Sequence, residues 1–391
     1  MKRFAENRIR DDLKKKIVLL AGPRQAGKTT LSKQLGLSFS YLNFDSAEDR
    51  KLLRQAQWDR QIEVVIFDEL HKLPRWKAWL KGLYDTEGIP PGILVTGSAR
   101  LEVFRRGGDS LAGRHHLHRL HPFTVREVRE EIEPEDALQR LLTVGGFPEP
   151  FLANDETEAR RWRRTHLDSI LREDLLDLEK VRALRSIEIL VELLIERVSS
   201  TVSLSSLARD LEVSSHTIKH WLQILENLYV IFPVRPFHHN IARSILKESK
   251  YYFYDTGAVA QAGVSAGAVF ENVVACALQR ELHLMEDFAG RKGSLSFLRD
   301  KEKREVDFVA VIDRKPHQLV EVKWADDDFS KSLAHFRSLL PAAEALQVVR
   351  WLDRTREDRA LSLRMVSASE YLSKISFLEL RQRAASRSPD S

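Results

Sequence analysis

The stretch Gly22-Pro23-Arg24-Gln25-Ala26-Gly27-Lys28-Thr29-Thr30 restricts what this chain can fold into more than any other. It follows the apolar run Ile17 to Ala21 and precedes Leu31-Ser32-Lys33-Gln34-Leu35, so the context reads strand, glycine loop, helix. Gly22 and Gly27 let the backbone curl until successive N–H groups face phosphate oxygens, and the following helix adds its positive end. In that reading every position from Gly22 to Thr30 lines a nucleotide phosphate chain. Lys28 is a point charge on the terminal phosphates and Thr29 offers its hydroxyl to a magnesium ion. ATP and Mg2+ are the cofactors this loop predicts. A plain strand-to-helix turn would not need the full Gly-x4-Gly-Lys-Thr spacing.

Two further runs extend the same site. Glu63-Val64-Val65-Ile66-Phe67-Asp68-Glu69 is a β-branched and aromatic run closing in two carboxylates, as expected of a strand buried on both faces of a parallel sheet. At such a strand end Asp68 would hold the magnesium, while Glu69 would orient and polarise the attacking water. The alternative, a pair of acids capping the next helix, loses ground so close downstream of a phosphate loop. The run Gly92-Ile93-Leu94-Val95-Thr96-Gly97-Ser98 ends in hydroxyls, so Thr96 or Ser98 would sense the terminal phosphate. Arg100 and Arg114 are two candidates for an arginine that neutralises charge on the transferred phosphoryl group, from the same subunit or a neighbouring one.

The chain has 391 residues, which suggests two or three domains. Its 62 Lys and Arg against 57 Asp and Glu give a formal charge of +5, a mild excess that permits nucleic-acid contact without demonstrating it. The single cysteine, Cys276, lies in an apolar helical run and reads as a buried inert thiol, so a disulfide framework and a cysteine zinc site are excluded. The start of the chain is charged, no run reaches membrane-spanning length, and a cytoplasmic protein with no membrane contact is expected.

The order of Gly22 to Thr29, Asp68-Glu69-Leu70-His71-Lys72-Leu73-Pro74, Thr96-Gly97-Ser98, Leu111-Ala112-Gly113-Arg114 and His121-Pro122-Phe123-Thr124 resembles a family of prokaryotic AAA-type P-loop ATP-binding proteins. Members of that family carry a C-terminal domain of poorly defined function with a restriction-endonuclease-like core. The resemblance spans about Lys16 to about Val366. It implies Lys28 and Thr29 as nucleotide and magnesium contacts, Asp68 and Glu69 as the acidic pair, Ser98 as the sensor and Arg114 as the finger ahead of Arg100.

Beyond the nucleotide motifs, Ala137 to Val144 reads as a helix stopped by Gly145-Gly146-Phe147-Pro148. The arginines at 160, 161, 163 and 164 wrap round the next helix and are followed by Asp168, Glu173, Asp174 and Asp177, which reads as a solvated, ion-paired helix. Residues 187 to 198, 204 to 211 and 214 to 227 form three amphipathic helices ahead of a strand from Tyr229, the pattern of a winged helix-turn-helix. Ile218, Leu222 and Leu225 make its third helix's buried stripe, leaving Ser215, His216, Lys219, His220 and Gln223 for a DNA groove. Such modules also serve as protein-docking lids, so DNA and a protein partner both stand as expectations. His238 and His239 read as surface residues.

In the last third, Glu271 sits near the start of a helix, Asp307 on a strand at 304–311, and Glu321 and Lys323 on a strand at 318–324. Glu321 and Lys323 share one face of that strand, and the turn at 313–316 brings Asp307 beside them. Asp307 and Glu321 would hold magnesium, Lys323 would steady the attacking water or phosphate, and Glu271 would complete the shell. The pattern is similar to restriction-endonuclease-like nucleases; a hairpin with an ion-paired face is the plainer account.

The expected architecture is thus α/β. A P-loop NTPase (AAA-like) parallel sheet with helices on both faces occupies 1–135, and a helical linker 136–185. A winged helix with a connecting strand fills 186–265, a restriction-endonuclease-like α/β domain 266–378, and a disordered tail 379–391. The expected function is a Mg-dependent ATPase coupled to action on DNA, with a homo-oligomer in view. The alternative is a nucleotide-gated switch or scaffold with an inactive nuclease-like domain and a protein partner.

Overall fold

The computed structural model describes residues 1–97, 111–171, 181–237, 248–325 and 328–378. The chain divides into two compact units, 1–122 with 227–229, and 123–226 with 230–391.

The first unit is a parallel sheet built from β1 (Ile17–Ala21), β2 (Phe39–Asn43), β3 (Val64–Asp68), β4 (Gly92–Thr96) and β5 (His115–Arg119) in the order β2-β3-β4-β1-β5. Every residue of β1, β3 and β4 is buried, because a central parallel strand is covered on both faces and is apolar up to its end, where β3 and β4 close in Asp68 and Thr96. The edge strands β2 and β5 are more polar and mostly half-buried, as strands with one open side are. On one face Phe67 packs edge-on against Trp58 and Trp79, with ring centroids at 5.1 and 5.4 Å. The strand order places β4 between β1 and β3. The loop after β1 and the carboxylates ending β3 therefore stand two strand spacings apart at the same end of the sheet.

The second unit is organised by one sheet of nine strands. Its members are β6 (Thr201–Val202), β7 (Ile231–Pro236), β8 (Ser249–Phe253), β9 (Gly293–Arg299), β10 (Glu305–Ile312), β11 (Lys315–Lys323), β12 (Glu344–Val349), β13 (Arg356–Asp358) and β14 (Leu363–Ser367). Their order is β13-β14-β12-β11-β10-β9-β7-β8-β6. The boundary expected at 265/266 is thus crossed by a continuous ladder, since β7 pairs in parallel with β9 through Arg235–Ser296 and Pro236–Phe297. The second compact unit begins at Phe123, ahead of the boundary expected at 135/136. Phe123 donates its N–H to Gly146 O at 2.7 Å, and Arg126 pairs with Glu281 at 2.6 Å, contacts internal to the second unit.

Local sequence explains the elements that position side chains. The β10–β11 hairpin turns through Asp313 and Arg314 with φ of 48° and 68°, the left-handed pair a two-residue hairpin needs. Asp313 steadies it by accepting from Arg291 at 2.9 Å and from the Lys292 N–H at 3.1 Å. The long helix Ala266–Ala289 starts at Ser265, whose hydroxyl caps Ala268 N–H, and ends at Gly290 in the left-handed region. Cys276 lies on it as expected, its Sγ donating to Phe253 O at 3.1 Å while burial pushes the thiol pKa up. The tail 379–391, His238 and His239 lie outside the described residues, as do Glu173, Asp174 and Asp177. Among the described residues no helix is long and apolar enough to cross a membrane.

Candidate functional site

The glycine loop takes the expected form. Gly22 (φ 146°) and Gly27 (φ 92°) adopt conformations closed to most residues, and a side chain at Gly22 would drive into the Leu120 carbonyl. Gln25 also has a positive φ, 61°, which tightens the curl between the glycines. The helix Lys28–Lys33 begins directly after Gly27. Lys28 is 8% exposed, and its Nζ donates to Gly22 O at 3.0 Å and Pro23 O at 2.6 Å, which holds the ammonium over the loop.

Across the sheet, Thr29 Oγ1 donates to Asp68 Oδ2 at 3.0 Å. Asp68 is held by three further donors: Tyr41 OH at 2.6 Å, the Thr96 hydroxyl, and the Glu69 N–H at 3.1 Å. Strand register explains the convergence, since Asp68 pairs with Asn43 on one side and with Thr96 on the other. Thr96 is fully buried and gives its hydroxyl proton to Asp68, a bond that fixes the carboxylate. The Tyr41 pKa is pushed well above the usual phenol value by burial and by the adjoining Asp68. Tyr41 therefore stays a donor. Glu69 turns out of the strand at φ 55°, with its carboxylate 3.5 Å from His71 Nε2 and 3.7 Å from Lys72 Nζ.

Two expected residues, Ser98 and Arg100, lie outside the described residues. Arg114 does not join this site within its own chain. Its carbonyl accepts from Ile17 N–H at the start of β1, while Gly22 follows the end of that strand. At about 3.3 Å per residue the two lie a full strand apart. Its guanidinium makes a forked pair with Asp85 at 2.7 and 3.1 Å. That hydrogen bond holds the Asp85 carboxyl below its usual pKa.

In the second unit the structure brings Glu271, Asp307, Glu321 and Lys323 together. Asp307 lies one residue beyond the Phe308–Val320 pair and accepts the Val322 N–H at 2.8 Å, while Lys323 Nζ is 3.0 Å from Glu321 Oε1. Burial, then the neighbouring Glu271 charge, pushes the Asp307 pKa up to about 7 against the opposing pull of Lys250; burial and Asp307 push Glu321 up to about 7. The cluster contains a cation that the sequence reading missed. Lys250 Nζ stands 2.7 Å from Glu305, 3.3 Å from Glu271 and 3.8 Å from Asp307. Tyr252 adds a hydrogen bond to Glu271 at 2.5 Å.

Residues 14–129 match the family model described as "AAA domain". The chain carries an AAA ATPase domain. Residues 135–267 and 266–368 match two models described as domains of unknown function, DUF8612 and DUF4143. An uncharacterized protein of Mycobacterium tuberculosis is 27% identical over 324 residues, which cover 81% of this chain and 72% of that protein. One from Methanocaldococcus jannaschii is 25% identical over 299 residues, 68% of this chain and 67% of that protein. Among solved structures, a RuvB variant of Thermotoga maritima aligns at 17% identity and TM-score 0.32, covering 58% of this chain and 88% of that one. The Aeropyrum pernix ORC1 protein in complex with DNA aligns at 11% identity and TM-score 0.33, covering 70% and 94%. Scores so low carry no argument about this chain.

The AAA domain's residues fit a magnesium–nucleotide complex. Thr29 and Asp68 offer hard oxygens within 3.0 Å of one another, and magnesium takes one or two protein oxygens beside waters and phosphates. The second cluster does not fit a divalent metal. Its carboxylates face the Lys250 ammonium, and among the described residues no group of three His, Cys, Asp or Glu could hold a metal ion. One oxygen, Glu321 Oε2, is buried without a hydrogen-bond partner, and a single such oxygen is too few. Tyr41 and Lys250 escaped the sequence reading because each sits within a strand in an aromatic or aliphatic run, where alternation suggests packing. The residue three before Asp255-Thr256-Gly257, Tyr252, escaped for the same reason.

Proposed function

We propose that the chain is a magnesium-dependent ATPase whose nucleotide cycle drives engagement of duplex DNA by its second unit. The observation that carries the ATPase reading is the hydrogen bond from Thr29 to Asp68, which joins the phosphate loop to the acidic strand end. Gly22 to Thr30 would cradle the phosphates through backbone N–H groups, with the Lys28 ammonium drawn from the loop carbonyls to the terminal phosphates. Thr29 and Asp68 would hold the Mg2+, which supplies neutralisation of charge shared by the two outer phosphates. Tyr41 and Thr96 keep Asp68 aimed. Glu69 orients the attacking water and accepts its proton, and its neighbours His71 and Lys72 restrain its carboxylate. Ser98 is assigned the sensor role. An arginine finger drawn from Arg114 would have to come from another copy, which is the reason to propose a homo-oligomer.

For the second unit, the order helix, β6, helix, helix, β7, β8, with β6 and β7 flanking β8, supports a winged-helix reading of 186–265. On the helix Ser215–Asn227, Ile218, Leu222 and Leu225 are buried, while Ser215, His216, Lys219, His220 and Gln223 are exposed, the division a groove-reading helix requires. The β10–β11 hairpin, the parallel strand β12 and the helix Ala266–Ala289 support a restriction-endonuclease-like fold for 266–378. A cytoplasmic location suits such an activity.

The test pairs nucleotide and DNA binding on the full chain. Lys28→Ala is expected to abolish ATP binding or turnover. Duplex binding is expected to weaken with salt, and Lys219→Ala to weaken it uniformly across sequences and reduce the salt slope by about 1. ATP turnover with no salt-sensitive duplex binding would replace the DNA reading with a nucleotide-gated switch acting on a protein partner.

A further inference from the structure

We propose that Lys250 stands in for a divalent metal in the second unit's carboxylate pocket, so that this pocket is neutralised from within and takes no metal. Lys250 lies on β8, paired with Thr201 on β6 and Val234 on β7, and its residue is 2% exposed. An ammonium so deep is costly unless carboxylates surround it. Here Glu271 comes from the long helix, while Glu305 and Asp307 come from β10. Two elements therefore converge on the buried cation carried by β8, and the Phe297 ring lies 5.6 Å from the same Nζ. Two further cations serve the cluster: Lys323 pairs with Glu321 at 3.0 Å, and Arg299 with Glu305 at 3.5 Å. Glu271 is further occupied by the Tyr252 hydroxyl, and Asp307 by the Val322 N–H.

The chemical consequence is specific. A divalent ion between the Asp307 and Glu321 carboxylates would polarise a phosphodiester and make hydroxide from bound water at neutral pH. A buried ammonium supplies neither an open coordination position nor that acidity. The pocket then holds the helix, β8 and β10 in one arrangement and leaves a phosphodiester uncut.

The experiment counts Mn2+ bound to nucleotide-free full chain by electron paramagnetic resonance, in an Asp68→Ala background that removes the AAA site's carboxylate. The expected result is no stoichiometric Mn2+ at millimolar metal. Adding Lys250→Met should create one site per chain, lost again in Lys250→Met with Asp307→Asn. Stoichiometric Mn2+ in the Asp68→Ala protein that Asp307→Asn abolishes would overturn the proposal. So would a folded Lys250→Met protein that gains none. Where Lys250→Met does not fold, the Asp68→Ala pair with and without Asp307→Asn still decides. Plasmid nicking by wild-type protein with Mn2+ and no ATP, lost in Asp307→Ala, would overturn it independently. None of these readouts depends on ATP turnover, so they separate this proposal from the function above.

Discussion

At the residue scale, the behaviour of Asp68 follows from who donates to it. Thr96→Val removes a buried donor to a carboxylate and should cost about 1–3 kcal/mol, read as a lower urea midpoint, with slower ATP turnover as the carboxylate loses its aim. Asp307 and Glu321 give a pH signature. Their folded pKa values, about 7, lie above the unfolded values near 4, so the native state binds more protons in that interval. Their contribution to stability is complete below about pH 4 and is lost as pH rises through about 7. Asp307→Asn should therefore flatten the fall in stability between pH 5 and 8, to be followed by thermal unfolding across that range; an unchanged slope would contradict the assignment. The motif positions Lys28, Thr29, Asp68 and Glu69 were legible in the sequence because their chemistry demands fixed types at fixed spacing. Tyr41 and Lys250 were not, and neither was the bond from Thr96 to Asp68, because each acts through a cross-strand neighbour that only the register reveals.

At the scale of elements, the arginine-rich helix Glu156–Ser169 divides more sharply than its sequence suggests. Arg160 and Arg161 are exposed and pair with Glu156 and Glu158, as a solvated helix should, but Arg163 turns inward. It is 9% exposed, meets Asp255 at 2.8 Å and bonds the Val144 carbonyl, tying the glycine turn at 145–146 to the helix starting at Thr256. Gly145 and Gly257 are needed because a side chain at either would strike that guanidinium. Arg163→Met should destabilise the second unit by about 1–3 kcal/mol, since it leaves the Val144 carbonyl and the partly buried Asp255 carboxylate without their charged donor; urea unfolding of the full chain measures it. Periodicity could mark the helix but not which arginine is structural. That depends on a glycine turn and an aspartate far along the chain. The hairpin at Asp313 and Arg314 was legible, because the polar turn residues interrupt two apolar runs.

At the scale of the molecule, the chain is two units, each built round its own sheet. That the first sheet is parallel was readable as soon as the glycine loop and the acidic strand were placed; the strand order that lets Thr29 meet Asp68 was not. The nine-stranded sheet was not, because its joining pair, β7 with β9, links segments about sixty residues apart with no motif at the contact. The central claim is that the loop and the acidic strand end form one hydrolytic site. The most direct measurement compares ATP binding and steady-state turnover in wild-type and Glu69→Gln protein, with magnesium present. The account predicts ATP affinity within about threefold of wild type and turnover lowered by about 100-fold or more; wild-type turnover in Glu69→Gln would contradict it.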